Sequence, residues 1–236
     1  MKILAVDSSS VTVSVAILED KEIIAQYFLN VGLTHSQTLA PMIESVLKNS
    51  KIPPSEIGLY VATNGPGSFT GIRIGLSTVK AMALANSKPC LGVSSLYSLA
   101  YNLKDKNNIL CACMDARNNQ VYNALFKVEN NKIIRLTEDR AININDLKEK
   151  LGEFQEKIEI VGDGAEICYN SFKESNENFA KKVLLYRESK YISAVNLGFA
   201  AAEIYENQED KSKISSEINY IRIPQAQRLL KENKKL

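Results

Sequence analysis

The chain has no tryptophan and a single histidine, His35, among its 236 residues. One histidine cannot make a His-x-x-x-His metal pair, and zinc peptidase chemistry fails for the same reason. A Ser–His–Asp triad survives the count, but no serine sits in a Gly-x-Ser-x-Gly elbow. Four cysteines, Cys90, Cys111, Cys113 and Cys168, are scattered without the framework of a secreted, disulfide-stapled domain. No apolar run approaches the roughly 18 residues of a membrane span. Asp7 ends the N-terminal apolar run too early for a signal peptide. A net charge of +2 offers little bulk attraction to nucleic acid or a membrane. There is no basic-aromatic run to bind RNA, and the lysines of the closing KENKKL read as a solvated tail. These absences point to a reduced, cytoplasmic protein.

What is present is an ordinary globular composition, 45% hydrophobic and 24% charged, enough for one large domain or two small ones. The chain is organised around residues 63–86, TNGPGSFTGIRIGLSTVKAMALAN. Asn64-Gly65-Pro66-Gly67 breaks the backbone after a β-capable run at 57–61. Ser68 is a good N-cap, and no proline interrupts the chain until Pro89. Ile72, Leu76, Val79 and Ala83 recur at helical spacing and should face the core. A second stripe, Gly71, Gly75, Thr78, Met82 and Ala85, is small apart from the methionine. Two helical glycines cost about 1 kcal/mol each relative to alanine, so they need a reason, usually close backbone approach. Three readings fit: an anion cradle at a helix N-terminus, a surface for a partner helix, or a tight turn with ordinary packing. It is not a Walker loop, because no Gly-Lys-Ser/Thr follows and Lys80 lies deep in the helix.

Upstream, residues 2–6 form a short strand ending at Asp7, and Ser8-Ser9-Ser10 turns the chain. Val11, Val13, Val15 and Ile17 alternate down a second strand, Asp20-Lys21 turns again, and residues 22–29 make a third. Thr34-x-x-Gln37 has the pattern of a capping box for a helix to about Lys48 carrying Leu39, Met42, Ile43, Val46 and Leu47 on one face. Pro41 predicts a kink or a later start. A strand at 90–93 and a helix capped by Ser94 or Ser95 follow.

Residues 104–108 are the best boundary, giving domains at 1–104 and 105–236, the tail packing back on the first. The second half echoes the first: strand 109–115, a turn at Asp115, then strand 120–127 repeats strand, aspartate, turn, strand. Further on come a helix at 145–151, a strand at 158–161 running into Gly162-Asp163-Gly164, and a helix at 165–172. A polar loop at 173–178 precedes a helix at 194–205 capped by Ser193. Residues 207–216 read as polar and mobile, and 220–224 as a short extended ending. Cys111 and Cys113 share one face of a strand and read as core.

GPGSFTGIRIGLSTVKAMALA resembles the signature of the TsaB (YeaZ) family, bacterial non-catalytic relatives of the tRNA threonylcarbamoyl transferase TsaD. The likeness continues through VDSSS, HSQTLAPMI, MDARNNQVY, GDGA and the Tyr-hydrophobic-Arg at 220–222. It implies an α/β fold of the actin-like ATPase superfamily: two duplicated halves of mixed sheet and helices, the second reduced. It also implies a protein that binds TsaD in support of threonylcarbamoyl transfer to tRNA, reaching the ATPase TsaE through the complex. The helices at 34–49 and 68–86 would pack on the partner or, in the protein alone, on a second copy. On that reading the partner face includes His35, Leu39, Ile43, Gly71, Gly75, Thr78 and Met82, and Gly75→Leu should disrupt partner binding. The tRNA is met only indirectly.

Asp7 with Ser8 and Ser9 resembles the first phosphate loop of the superfamily, though the same residues make an Asx turn. Pro66, Gly67, Ser68, Arg73, Asp115 and Arg117 would join them around a cleft. The second loop, Asp115-Ala116-Arg117-Asn118, lacks the glycine that would let backbone approach a phosphate. No tightly bound cofactor and no metal are therefore expected. Arg73 stands in the first turns of a helix, where the dipole favours acids, so it should hold a carboxylate, a phosphate or a partner. The enzymatic alternatives are an ATP-dependent kinase of the same superfamily and, more remotely, a glycoprotease-like peptidase.

Overall fold

Strands come first because the apolar runs are short and β-branched. The computed structural model describes residues 1–20, 22–106 and 108–222. Lys21, Asn107, Ile223, Pro224 and the KENKKL tail lie outside the described residues. The first half contains β1 (Lys2–Asp7), β2 (Val13–Glu19), β3 (Glu22–Leu29), α1 (His35–Ser50), β4 (Leu59–Gly65), α2 (Phe69–Ala85), β5 (Cys90–Ser94) and α3 (Ser95–Tyr101). The second opens with β6 (Ile109–Asp115), β7 (Gln120–Glu129), β8 (Lys132–Arg135), β9 (Arg140–Asn143) and α4 (Ile144–Gly152). It closes with β10 (Ile158–Val161), α5 (Ala165–Ser175), α6 (Glu177–Ala180), β11 (Val183–Leu185) and α7 (Ala194–Asn207).

The two sheets repeat one plan. The first runs β3-β2-β1-β4-β5 and the second β8-β7-β6-β10-β11, with β9 beside β7. In each, three strands form an antiparallel meander and two more add in parallel to its first strand. This is the expected α/β architecture of two duplicated halves, each a mixed sheet with helices. The reduction of the second half lies in its helices, not its sheet: α4 and α5 have 9 and 11 residues against 16 and 17 in α1 and α2.

Both faces of both sheets are covered. Ile3, Ala5, Ala16 and Leu18 face α3 and α7, together with Leu110, Ala112 and Phe126 from the second sheet. Leu4, Val6, Val15 and Ile17 face α1 and α2. Ile109, Cys111, Cys113 and Ile160 face α4 and α5. The layers therefore run helix, sheet, helix, sheet, helix. The central strands are buried on both faces, so the alternation read for β2 is of size rather than exposure: Ser14 and Ala16 are buried like Val13, Val15 and Ile17.

The helix α7 belongs in sequence to the second half but packs on β1, β2 and β4 of the first. Its N-terminus is anchored there, with Ser193 Oγ accepting from the Val195 amide at 3.2 Å and Ser14 Oγ from the Ala194 amide at 3.0 Å. Gly198 lets it sit close, since a Cβ there would stand 2.2 Å from Leu18 Cδ1.

Several local expectations differ. Thr34 is the N-cap of α1, but its hydroxyl donates to Gln37 Oε1 at 2.8 Å, so no side chain caps a backbone amide. The helix runs through Pro41, which lies on its exposed side. Residues 173–178 are mostly helical, because the polar positions are the solvent face of α5 and α6. The short strands β8, β9 and β11 carry too few apolar residues to be read in advance. Residues 207–216 are tied down: Asp210 caps a 3-10 turn at Lys211–Lys213, and the Gly92 amide donates to the Ser215 carbonyl at 2.9 Å.

Leu197 on α7 is fully buried between the halves. Leu197→Ala is expected to lower stability by about 2–5 kcal/mol in a urea titration. A single transition should persist, because one core serves both sheets.

Candidate functional site

The carboxyl end of β1 meets the start of α2 in a loop cluster with no exposed surface at its centre. Asp7 is fully buried, and its Oδ1 accepts three hydrogen bonds: Ser9 N at 3.1 Å, Ser9 Oγ at 2.7 Å and Thr63 Oγ1 at 2.8 Å. Burial raises its pKa above the usual carboxylate value, while the Ser9 and Thr63 hydrogen bonds act in the opposite direction. Thr63, at the end of β4, is a partner that sequence reasoning missed. Its position just ahead of the glycine loop was the available signal.

The hydroxyl turn is closed by α2. Ser8 Oγ donates to the Gly71 carbonyl at 2.9 Å, and the Ser68 amide donates to the Ser9 carbonyl at 2.7 Å. Ser68 Oγ accepts from the Gly71 amide at 3.2 Å, as an N-cap should. A Cβ on Gly71 would lie 2.1 Å from the Ser8 carbonyl oxygen, and one on Gly75 would lie 2.2 Å from Ser8 Oγ. Gly67, at φ +154°, runs against the Ser9 backbone, where a Cβ would approach to 2.3 Å. Pro66 is buried in the same wall. His35 completes it, with Nε2 donating to the Ser10 carbonyl at 2.7 Å and so holding the start of α1 on the turn.

The second half repeats the arrangement with different residues. Asp115 Oδ1 accepts from the Arg117 amide at 2.8 Å, and Asp163 Oδ1 accepts from the Asp115 amide at 3.0 Å. Arg117, Asn118 and Asn119 all have left-handed backbone, and Gly162 and Gly164 press on the β6 end. The Arg117–Asp115 ion pair, at 3.6 Å with Arg117 85% exposed, adds little. Asp163 has a raised pKa from burial, helped by the Asp115 charge. Cys111 and Cys113 are core residues, as read, sharing the Asn123 amide, and burial pushes the Cys113 thiol up.

In the first turn the Ser8 and Ser9 hydroxyls are bonded within the chain and Gly67, Gly71 and Gly75 run against its residues, while Asp7 Oδ2 is buried without a partner. In the second, the position that would need glycine carries side chains. Among the described residues no three His, Cys, Asp or Glu side chains are grouped to hold a metal ion.

A segment at 215–222 then crosses the cluster. Asn64 Nδ2 donates to the Glu217 carbonyl at 3.0 Å, and the Asn219 amide returns a bond to the Asn64 carbonyl at 2.8 Å. Arg73 Nε donates to the Tyr220 hydroxyl at 2.9 Å, and Arg222 reaches the Ala116 carbonyl and Gln120 Oε1 in the second half. The segment thus links Arg73 on α2 to the turn that follows Asp115.

Residues 29–234 match the family described as "TsaD: tRNA N6-adenosine threonylcarbamoyltransferase". The tRNA threonylcarbamoyladenosine biosynthesis protein TsaB of Bacillus subtilis (strain 168) is 32% identical over 162 residues, 69% of this chain and 71% of that protein. The protein of the same name from Buchnera aphidicola subsp. Schizaphis graminum is 32% identical over 195 residues, 80% of this chain and 90% of its own. The chain belongs to the TsaB (YeaZ) family. The solved structure of YeaZ from Pseudomonas aeruginosa shares the fold, with a TM-score of 0.74 at 20% identity, covering 93% of this chain and 99% of that one.

Within this TsaB-family chain four of the residues read as a partner face, Leu39, Ile43, Gly71 and Gly75, are buried, and His35, Thr78 and Met82 are half-buried. Leu39 and Ile43 lie in the core at 1% and 3% exposure. His35, Gly71 and Gly75 contact the Ser8–Ser10 turn. Thr78 is half-buried and donates to the Ile74 carbonyl at 2.8 Å, and half-buried Met82 packs on the core. The small stripe lies next to the apolar stripe of Ile72, Leu76, Val79 and Ala83, so its start at Gly71 and Gly75 turns toward the molecule, while Ala85 at its end is exposed. Spacing revealed a close approach but not its partner, which is the chain's own serine turn. The outward face of α2 is instead Phe69, Arg73, Ser77, Lys80 and Leu84, the last 82% exposed.

Gly75→Leu would therefore act on folding before it acted on any partner. Gly75→Ala is expected to destabilise by about 1–3 kcal/mol. Ser8→Ala removes the clashing oxygen, so the double variant should recover part of the loss. A double-mutant cycle by chemical denaturation should show a coupling of about 0.5–3 kcal/mol.

Proposed function

We propose that this protein is a non-catalytic partner of a TsaD-type transferase in tRNA threonylcarbamoyladenosine biosynthesis. The observation that carries this reading is the closed serine turn: the place where the superfamily would hold a phosphate is filled by the chain's own α2. A site filled from within offers no room for phosphoryl chemistry, and the outward face of α2 is left for a macromolecule. The single histidine removes the metal chemistry of a peptidase.

On this reading the catalytic residues belong to the partner, and this chain contributes a surface made by α1 and α2. The exposed Phe69 and Leu84 on α2 supply apolar area at the two ends of that face. In the absence of the transferase the same surface closes on a second copy of the chain, burying it symmetrically. A TsaE-type ATPase is met through the complex, and tRNA is met through the transferase. The protein works in the cytoplasm without a tightly bound cofactor; none of its described helices is long and apolar enough to cross a membrane.

Two measurements check this. In a reconstituted reaction with the TsaD-type transferase, the TsaE-type ATPase, the adenylate-forming enzyme, ATP and tRNA, modification should depend on this chain. Unchanged modification on its omission would contradict the proposal. Leu84→Glu, on the exposed face, should weaken co-elution with the transferase in gel filtration while leaving the thermal midpoint unchanged.

A further inference from the structure

Arg73 is held in an unusual way for an exposed arginine. Its guanidinium lies 3.7 Å from the Phe69 ring centroid and 5.6 Å from that of Tyr220. The two rings are themselves 5.6 Å apart, so the cation packs on the Phe69 face while the Tyr220 ring leans against both. Nε is occupied by the Tyr220 hydroxyl at 2.9 Å. Among the described residues this is its only side-chain hydrogen bond, and no carboxylate lies within ion-pair distance. Tyr220 is itself fixed, because the neighbouring Asn219 and Glu217 are bonded to Asn64.

The consequence is a pre-set fork. Packing on the Phe69 ring and the Nε bond to Tyr220 restrain the guanidinium, so a partner that takes the two Nη groups has less side-chain entropy to remove. Such a fork matches a carboxylate in two parallel hydrogen bonds, which a lysine cannot make. Phe69 and Arg73 on the exposed face of α2, with Tyr220 beside them, also have the composition of interface hot spots. The charge on α2 supports an acidic occupant: Arg73 and Lys80 are its only ionisable side chains, and it carries no acid.

We infer that the Phe69–Arg73–Tyr220 stack is a docking anchor that receives a carboxylate side chain of the protein partner. Segment 215–222 is then part of the partner surface rather than an appendage. The inference rests on the partner reading above and adds the residue and chemistry that determine specificity.

The test is isothermal titration of the full chain with its TsaD-type transferase, over a series of salt concentrations. Arg73→Lys, which keeps the charge but loses the fork, should weaken binding by about 30-fold or more, the scale of a hot spot. Tyr220→Phe, which keeps the stack and loses the Nε acceptor, should weaken it several-fold. Arg73→Gln should also flatten the salt dependence. Lys150→Glu, on the exposed face of α4, alters net charge far from the stack and should bind as the wild type. If the wild type binds and Arg73→Lys and Arg73→Gln bind equally well, the anchor is wrong and the partner reading stands. If the wild type binds no transferase, both fall. A loss of tRNA affinity in filter binding, with transferase affinity intact, would overturn the carboxylate in favour of a nucleic-acid phosphate.

Discussion

The close approach of α2 to the serine turn is the constraint on which the rest depends. It needs two helical glycines four residues apart, Gly71 and Gly75, because any side chain there would enter Ser8. It also needs Ser8 and Ser68 to exchange their polar groups with the backbone across the gap. Once that contact forms, Asp7 is sealed and its charged form loses water. Its hydrogen bonds then come from Ser9 and Thr63. The turn itself becomes a packing element. What the helix then offers outward is decided by the residues it does not need for that contact.

The same principle acts at the level of the whole chain. Two sheets of one topology enclose a shared helical layer, and α7 crosses from the second half to cover the first sheet. The halves cannot be treated as independent bodies bound by a linker, since Ile3 and Leu18 of one share a cluster with Leu110 and Phe126 of the other. Segment 215–222 adds a second crossing, from Asn64 to the turn after Asp115.

Much of this was legible in the residues. The break at Asn64-Gly65-Pro66-Gly67, the Ser68 cap and the inward stripe of Ile72, Leu76, Val79 and Ala83 are local chemistry and read correctly. The duplication also showed, because a strand ending in aspartate and a turn recurs at Asp7 and Asp115. Orientation was less accessible. The small stripe of α2 signals proximity whatever lies opposite, and only the tertiary fold places Ser8 there rather than a partner helix. Leu39 and Ile43 show the same limit, since an apolar face serves a core or an interface with equal composition. The role of Tyr220 was invisible for a further reason: its contact with Arg73 spans 147 residues of sequence, and nothing local marks it.

The most direct test of the account is a calorimetric titration of the isolated protein with ATP and magnesium. If the serine turn is closed by α2 as described, no binding heat should develop at micromolar or low millimolar nucleotide. Saturable micromolar binding that is lost on Asp7→Ala would show that the turn opens to phosphate, and would contradict the closed-turn account.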